Sequence, residues 1–194
     1  MIMASSTSVY GKQDGVVDED CGEEDLQPQS PYAASKLKEE NLLTFLAAEK
    51  GLRCAILRFG TIFGVSPGMR FHTAVNKFCW QASVGLPITV WKTALNQKRP
   101  YLCLEDCVKA ITHVINKSLF GAEIFNVLSE NLSVGDIVTS IKETVTDLTV
   151  TFVESPIMNQ LSYEVQNEKF KATGFAFQGS SKEGIQETLK LLKL

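Results

Sequence analysis

The first sixty residues read strand, helix, strand, an order satisfied by two parallel strands with the helix crossing over one face of their sheet. Residues 2 to 6 are a short, partly apolar run that leads into Ser5-Ser6-Thr7-Ser8, as expected of a buried strand whose C-terminal end opens into a polar site. Ser30 supplies an N-cap and Pro31 occupies the first helical position; the helix they open runs through Leu42, Leu43 and Phe45 to Lys50, where Gly51 stops it. Leu52 to Phe59 (L-R-C-A-I-L-R-F) makes the second strand. Crossover units of this kind carry their chemistry at the C-terminal ends of the strands, which places a site at Ser6 and in the loop from Gly60 to Met69.

The α/β alternation continues beyond that unit in shorter elements. Spacing predicts a helix at 71–84, a strand at 88–91, a helix at 105–117 and a strand at 123–127. Ser133-x-x-Asp136 has the form of a capping box and starts a helix to Val145, residues 148–153 are β-rich, and Ser180-x-x-Glu183 caps a last helix ending at Leu192. Between the first strand and the long helix, residues 11–30 hold Asp14, Asp18, Glu19, Asp20, Glu23, Glu24 and Asp25 and read as a solvated acidic loop. The change of pattern near residue 65 divides the chain into 1–65, a crossover unit, and 66–194, mostly a second lobe with some elements returning to the first sheet.

Composition narrows the function. A formal net charge of -3 provides no basic field for a phosphate backbone, so nucleic acid is not an expected partner. Five scattered cysteines, no C-x-x-C and only His72 and His113 argue against a zinc site or a disulfide framework, and fit a reducing cytoplasm. The start lacks a basic, apolar leader and no run approaches the roughly 18 apolar residues of a membrane span, so a soluble protein without a membrane partner is expected. Gly60, Gly64 and Gly68 are evenly spaced but lead into no βαβ fingerprint, and read as turn glycines.

Tyr32 and Lys36 stand four apart on one helix, so they share a face, and a lysine ammonium beside a phenol favours the ionised, proton-accepting form. Alone, Y-x-x-x-K is a common helix surface; here it lies just past Ser30-Pro31 and follows a serine at a strand end, Ser6 in S-S-T-S-V-Y-G. Those two segments, with Leu57-Arg58-Phe59-Gly60-Thr61-Ile62-Phe63-Gly64, closely resemble the extended short-chain dehydrogenase/reductase family of NAD-dependent epimerases and dehydratases. Lys98-Arg99-Pro100-Tyr101-Leu102 and Phe125-Asn126-Val127 extend the resemblance, which runs through essentially the whole chain but matches only the C-terminal part of such an enzyme.

The resemblance implies a fold, a cofactor and roles. The fold is α/β, an incomplete Rossmann-like parallel sheet with the N-terminal cofactor-binding half absent and a small C-terminal α/β substrate lobe. Tyr32 is the implied acid/base, Lys36 its electrostatic partner and a ligand of the nicotinamide ribose, and Ser6 the hydrogen-bond partner of the same substrate hydroxyl. Phe59 joins Tyr32 and Lys36 on the NAD or NADP side; Ser6, Thr7, Thr61, Arg70 and Arg99 fall on the nucleotide-sugar side. Arg70 and Arg99 suit the diphosphate because guanidinium forks match phosphate oxygens. Phe71, Asn76 and Trp91 are candidates for the base or sugar pocket. Dehydratase relatives carry acids where this chain has Thr7 and Ser8, so epimerisation or carbonyl reduction is expected rather than loss of water. Thr61 stands where many relatives have an asparagine.

A dinucleotide fold needs a glycine-rich turn between its first strand and helix, and none precedes Ser6. The first strand is therefore expected to present an open edge that favours pairing with another chain. Three readings stay open: a sugar-nucleotide epimerase- or reductase-like protein lacking its cofactor lobe and weakly active or inactive alone, half of a split enzyme, or a non-catalytic dimerisation module built on the helix after Tyr32.

Overall fold

The computed structural model describes residues 1–154 and 162–193. In chain order its regular elements are β1 (Ile2–Ser6), β2 (Val16–Val17), α1 (Pro31–Lys50), β3 (Cys54–Phe59), β4 (Thr61–Phe63), α2 (Ala74–Ser83), β5 (Ile88–Trp91) and β6 (Lys98–Cys103). There follow α3 (Leu104–Asn116), β7 (Gly121–Val127), β8 (Glu130–Ser133), α4 (Val134–Lys142), β9 (Val150–Val153), β10 (Glu164–Val165), α5 (Glu168–Ala172) and α6 (Ser181–Leu192).

The crossover unit forms as its sequence dictates. Ser30 Oγ accepts from the Ala33 N–H at 3.1 Å, Pro31 follows it, and Gly51 closes α1 in the left-handed region at φ 66°, where a Cβ would be disfavoured. β1 and β3 pair in parallel, Ile2 opposite Ala55 through Ser6 opposite Phe59, and β7 joins the other edge of β3, also in parallel. The sheet order is β1-β3-β7. Every residue of β3 is buried, and alternation sends its side chains to two cores. Cys54 and Ile56 pack with Met3 and Leu43 beneath α1; Ala55, Leu57 and Phe59 pack with Phe125, Ala110, Val114 and Phe170 beneath α3 and α5. Helices on both faces of a parallel sheet make this an α/β fold with a Rossmann-like, doubly covered sheet.

A third core binds the rest. Phe78, Cys79 and Val75 of α2, Ile137 and Ile141 of α4, and Ile185 and Leu189 of α6 enclose Ile88 and Val90 of β5. β5 pairs with β9 in parallel. The capping box at Ser133 and Asp136 is formed in full, and the hydrogen bonds to Ser133 hold the Asp136 carboxyl below its ordinary pKa. β4, β6 and β8 make a third sheet, with β4 parallel and β8 antiparallel to β6. It bridges this core and the one beneath α3 and α5, because Phe63 of β4 enters the former and Leu102 of β6 the latter.

Two loop expectations are corrected. The segment after β3 is not wholly irregular: Gly60 lets the chain cross close to Pro100, and β4 forms immediately after it. The acidic loop is not uniformly solvated. Val16 and Val17 pair in parallel with Glu164 and Val165, and Glu19 turns inward to accept the Asn126 N–H at 2.6 Å. Burial raises the Glu19 pKa. The expected helices at 71–84 and 133–145 are shorter, Ala74–Ser83 and Val134–Lys142. Among the described residues no helix is long and apolar enough to cross a membrane.

Candidate active site

The C-terminal ends of β1 and β3, the first turns of α1 and the loop after β4 surround one cleft of about 910 Å³. Ser6, Thr7, Tyr32, Lys36, Phe59, Thr61, Arg70 and Arg99 all line it. Ser6 and Phe59 meet there because the parallel β1–β3 pair delivers both strand ends to the same side, and Arg99 reaches the cleft from β6 of the neighbouring sheet.

Ser6 is the last residue of β1 and the N-cap of a single 3₁₀ turn, Thr7–Tyr10. Its Oγ accepts from the Ser8 N–H at 3.2 Å and from the Ser8 hydroxyl at 2.9 Å. Both lone pairs are thereby engaged, so toward a ligand Ser6 acts as a donor. Tyr32, at the second position of α1, is 58% exposed, open enough for a ligand to reach its phenol. Lys36 follows one turn later, its Nζ 6.0 Å from the Tyr32 ring centroid and 2.9 Å from Glu39 Oε2. That ion pair is solvent-facing and of the kind worth about 0–1 kcal/mol, so a ligand oxygen can compete for Lys36.

The remaining candidates differ in accessibility. Thr7 is buried, its hydroxyl donating to Phe59 O at 3.3 Å and lying 3.4 Å from the Tyr163 hydroxyl. Phe59 is buried as well, while Arg70 is exposed and Arg99 and Thr61 are half-buried. Asn76 lines the cleft but works on its loop: Nδ2 donates to Arg70 O at 3.1 Å and Oδ1 accepts from Gly64 N–H at 3.5 Å. A second cavity of about 460 Å³ shares Thr61, His72, Thr73 and Arg99 with the first and continues past Trp91 and Lys77. Phe71 lines neither of these two cavities; its ring meets Trp80, with centroids 6.4 Å apart. The buried thiols of Cys79 and Cys107 are pushed up to about 12 and about 11 by burial, which keeps them as inert core groups.

A polar network under the cleft was not anticipated from sequence. Arg58, in the otherwise apolar β3, donates from Nε and Nη2 to the Glu40 carboxylate, at 2.7 Å for the shortest contact. Ser5 donates to Glu40 Oε1, and Arg58 Nη1 donates to the Tyr10 hydroxyl at 2.9 Å. Tyr10 in turn donates to Asn126 Oδ1 at 2.9 Å; burial raises its phenol pKa. An arginine inside L-R-F and a glutamate two turns after the tyrosine were the available signals, because a charge on an apolar face needs a partner.

Comparison with known proteins gives the family and the fold. The family model for the NAD dependent epimerase/dehydratase family matches residues 1–127. The chain is 34% identical over 128 residues to YtcB of Bacillus subtilis (strain 168), described as an uncharacterized UDP-glucose epimerase, covering 65% of this chain and 38% of that protein. It is 27% identical over 199 residues to the Bos taurus dTDP-D-glucose 4,6-dehydratase, covering 97% of this chain and 54% of that one. Its fold superposes with a TM-score of 0.86 on the Bacillus cereus UDP-glucuronic acid 4-epimerase in complex with UDP-glucuronic acid and NAD, at 24% identity. The Thermus thermophilus UDP-glucose 4-epimerase, in complex with NAD, gives 0.80 at 26% identity. Each superposition covers 99% of this chain, but 60% and 63% of those chains. The chain thus spans less than two thirds of the length of each of these relatives. With the family match extending over 127 of 194 residues, and the serine, tyrosine and lysine gathered in one cleft, the chain belongs to the NAD dependent epimerase/dehydratase family.

Proposed function

We propose that residues 1–194 carry the acid/base site and the sugar-nucleotide side of an NAD(P)-dependent sugar-nucleotide epimerase or reductase. The observation that supports this most is the single cleft joining Ser6, Tyr32 and Lys36 to Arg70 and Arg99. A nucleotide sugar needs those two chemistries side by side: guanidinium forks for diphosphate oxygens, and a proton carrier next to a sugar hydroxyl.

In this reading Tyr32 removes the proton of a sugar hydroxyl and later returns it. Ser6, its lone pairs engaged by Ser8, donates its hydroxyl hydrogen to the same sugar oxygen and stabilises the charge that develops there. Lys36 leaves Glu39, keeps positive charge beside the phenol and binds a ribose hydroxyl. Tyr32, Lys36 and Phe59 fit the nicotinamide end of NAD or NADP, since all three border the cleft next to Ser6. When bound, the nicotinamide supplies the hydride acceptor and donor. The 194 residues hold no glycine-rich turn between a strand and a helix, so the reading gives none of them a role at the dinucleotide pyrophosphate. Thr7 and Ser8 stand where the resemblance places the acidic pair of dehydratases, so the reading favours epimerisation or carbonyl reduction.

Calorimetric titration with UDP-glucose tests the reading, run on the wild type and on Arg99→Ala. Binding by the wild type, weakened roughly tenfold or more in the variant, is expected for loss of a charge-assisted phosphate contact. No binding by the wild type, or equal binding by both, contradicts it.

A further inference from the structure

We propose that Glu40 and Arg58 are positioning residues: their buried ion pair, with Ser5, fixes the register of α1 along β1 and so sets Ser6 against Tyr32 and Lys36. The inference rests on the proposed acid/base site.

Apolar packing alone holds α1 weakly in register. Of its 20 residues only Ala33, Glu40 and Leu43 are buried, and among the described residues Leu43's small core holds Met3, Cys54 and Ile56 as buried partners, with Ala47, Leu52, Ala122 and Ile124 partly buried around it. Such a face can slide or roll with little change in buried area, because the hydrophobic effect is not directional. A guanidinium fork on a carboxylate is directional. Glu40 and Arg58 are 1% and 2% exposed, and the carboxylate receives Arg58 Nε, Arg58 Nη2 and the Ser5 hydroxyl together.

The geometry of the chain carries that constraint to the site. Glu40 lies one turn past Lys36 and two past Tyr32 on a continuous helix, while Ser5 is the neighbour of Ser6 on β1. Arg58 stands opposite Ser5 in the β1–β3 register and extends to Tyr10, the last residue of the turn that Ser6 caps. The three site residues are therefore all tied to one carboxylate. A buried pair is costly to desolvate, and apolar residues of similar volume often give equal or greater stability, so stability is a poor reason for its presence.

The test is Glu40→Met combined with Arg58→Met, set beside wild type in three measurements: the urea midpoint, UDP-glucose affinity by calorimetry, and the backbone amide NMR signals of residues 31–36. The proposal expects a midpoint equal to or above wild type, affinity lowered at least fivefold, and amide signals of residues 31–36 shifted or broadened while those of α4 and α6 stay in place. Wild-type affinity with unmoved signals overturns it. A collapsed urea midpoint also overturns it, since the pair would then be holding the fold rather than a register. Should the wild type itself not bind UDP-glucose, the functional reading fails, and the signals of residues 31–36 at an unchanged midpoint still decide the register claim. Arg58→Lys with Glu40 intact keeps the charge but loses the fork; it should leave the midpoint near wild type while the signals of residues 31–36 still shift or broaden.

Discussion

Tyr32 is the residue on which the proposed chemistry turns. It is open to the cleft, and its replacement by phenylalanine removes one oxygen from a site that is otherwise supported by backbone and by Ser8. Tyr32→Phe should lower turnover, assayed with cofactor and nucleotide sugar once activity is established, by about 10²–10⁴-fold while leaving nucleotide-sugar affinity within about twofold. Glu19 supplies a prediction of a different kind. Burial raises its pKa, so the folded state favours the protonated carboxyl, and stability falls as pH rises through the raised value. Glu19→Gln, whose amide oxygen can still accept the Asn126 N–H, should raise the urea midpoint at pH 7. The gain should shrink as pH is lowered through that pKa and vanish once Glu19 is protonated in both states. That Ser6, Tyr32 and Lys36 would line one cleft was legible in the sequence because strand end, cap and helical spacing are local signals. Glu19, Glu40 and Arg58 were not, because only the tertiary fold decides which charges of an acidic loop, a helix and a strand lose water.

At the scale of elements, α1 is set by its ends more than by its buried face. Ser30→Ala removes the side-chain acceptor of the Ala33 N–H and should cost about 1 kcal/mol, read from the shift in urea midpoint. The cap, the following proline and the closing glycine are all short-range features, which is why α1 could be bounded from sequence. β4, β6 and β8 lacked such marks. β6 reads K-R-P-Y-L-C, with two cations and a proline, and β4 is three residues long directly after a glycine. They become strands because each finds a neighbour: Thr61 to Phe63 opposite Tyr101 to Cys103, and Lys98 to Tyr101 opposite Ser133 to Glu130. Pairing between distant segments overrides weak local preference.

At the scale of the molecule, the parallel order β1-β3-β7 leaves β1 at an edge, with no strand on its outer side among the described residues. Leu42 and Phe45 also stand exposed on α1, at 56% and 58%. An open strand edge and exposed apolar side chains each favour association, so light scattering on residues 1–194 should give a mass above the 21.4 kDa of one chain, rising with concentration. The sequence's alternating elements made the α/β class readable, since helix and strand periods repeat along the chain. The joining of two cores through the β4-β6-β8 sheet was not readable, because it depends on that non-local pairing.

The most direct test of the proposed site is a crystal structure of the chain with UDP-glucose bound. The account predicts the diphosphate beside Arg70 and Arg99, and a sugar hydroxyl roughly 2.6–3.2 Å from both the Tyr32 phenol and Ser6 Oγ. A nucleotide sugar bound elsewhere, or bound in this cleft with its sugar turned away from Ser6 and Tyr32, would contradict it.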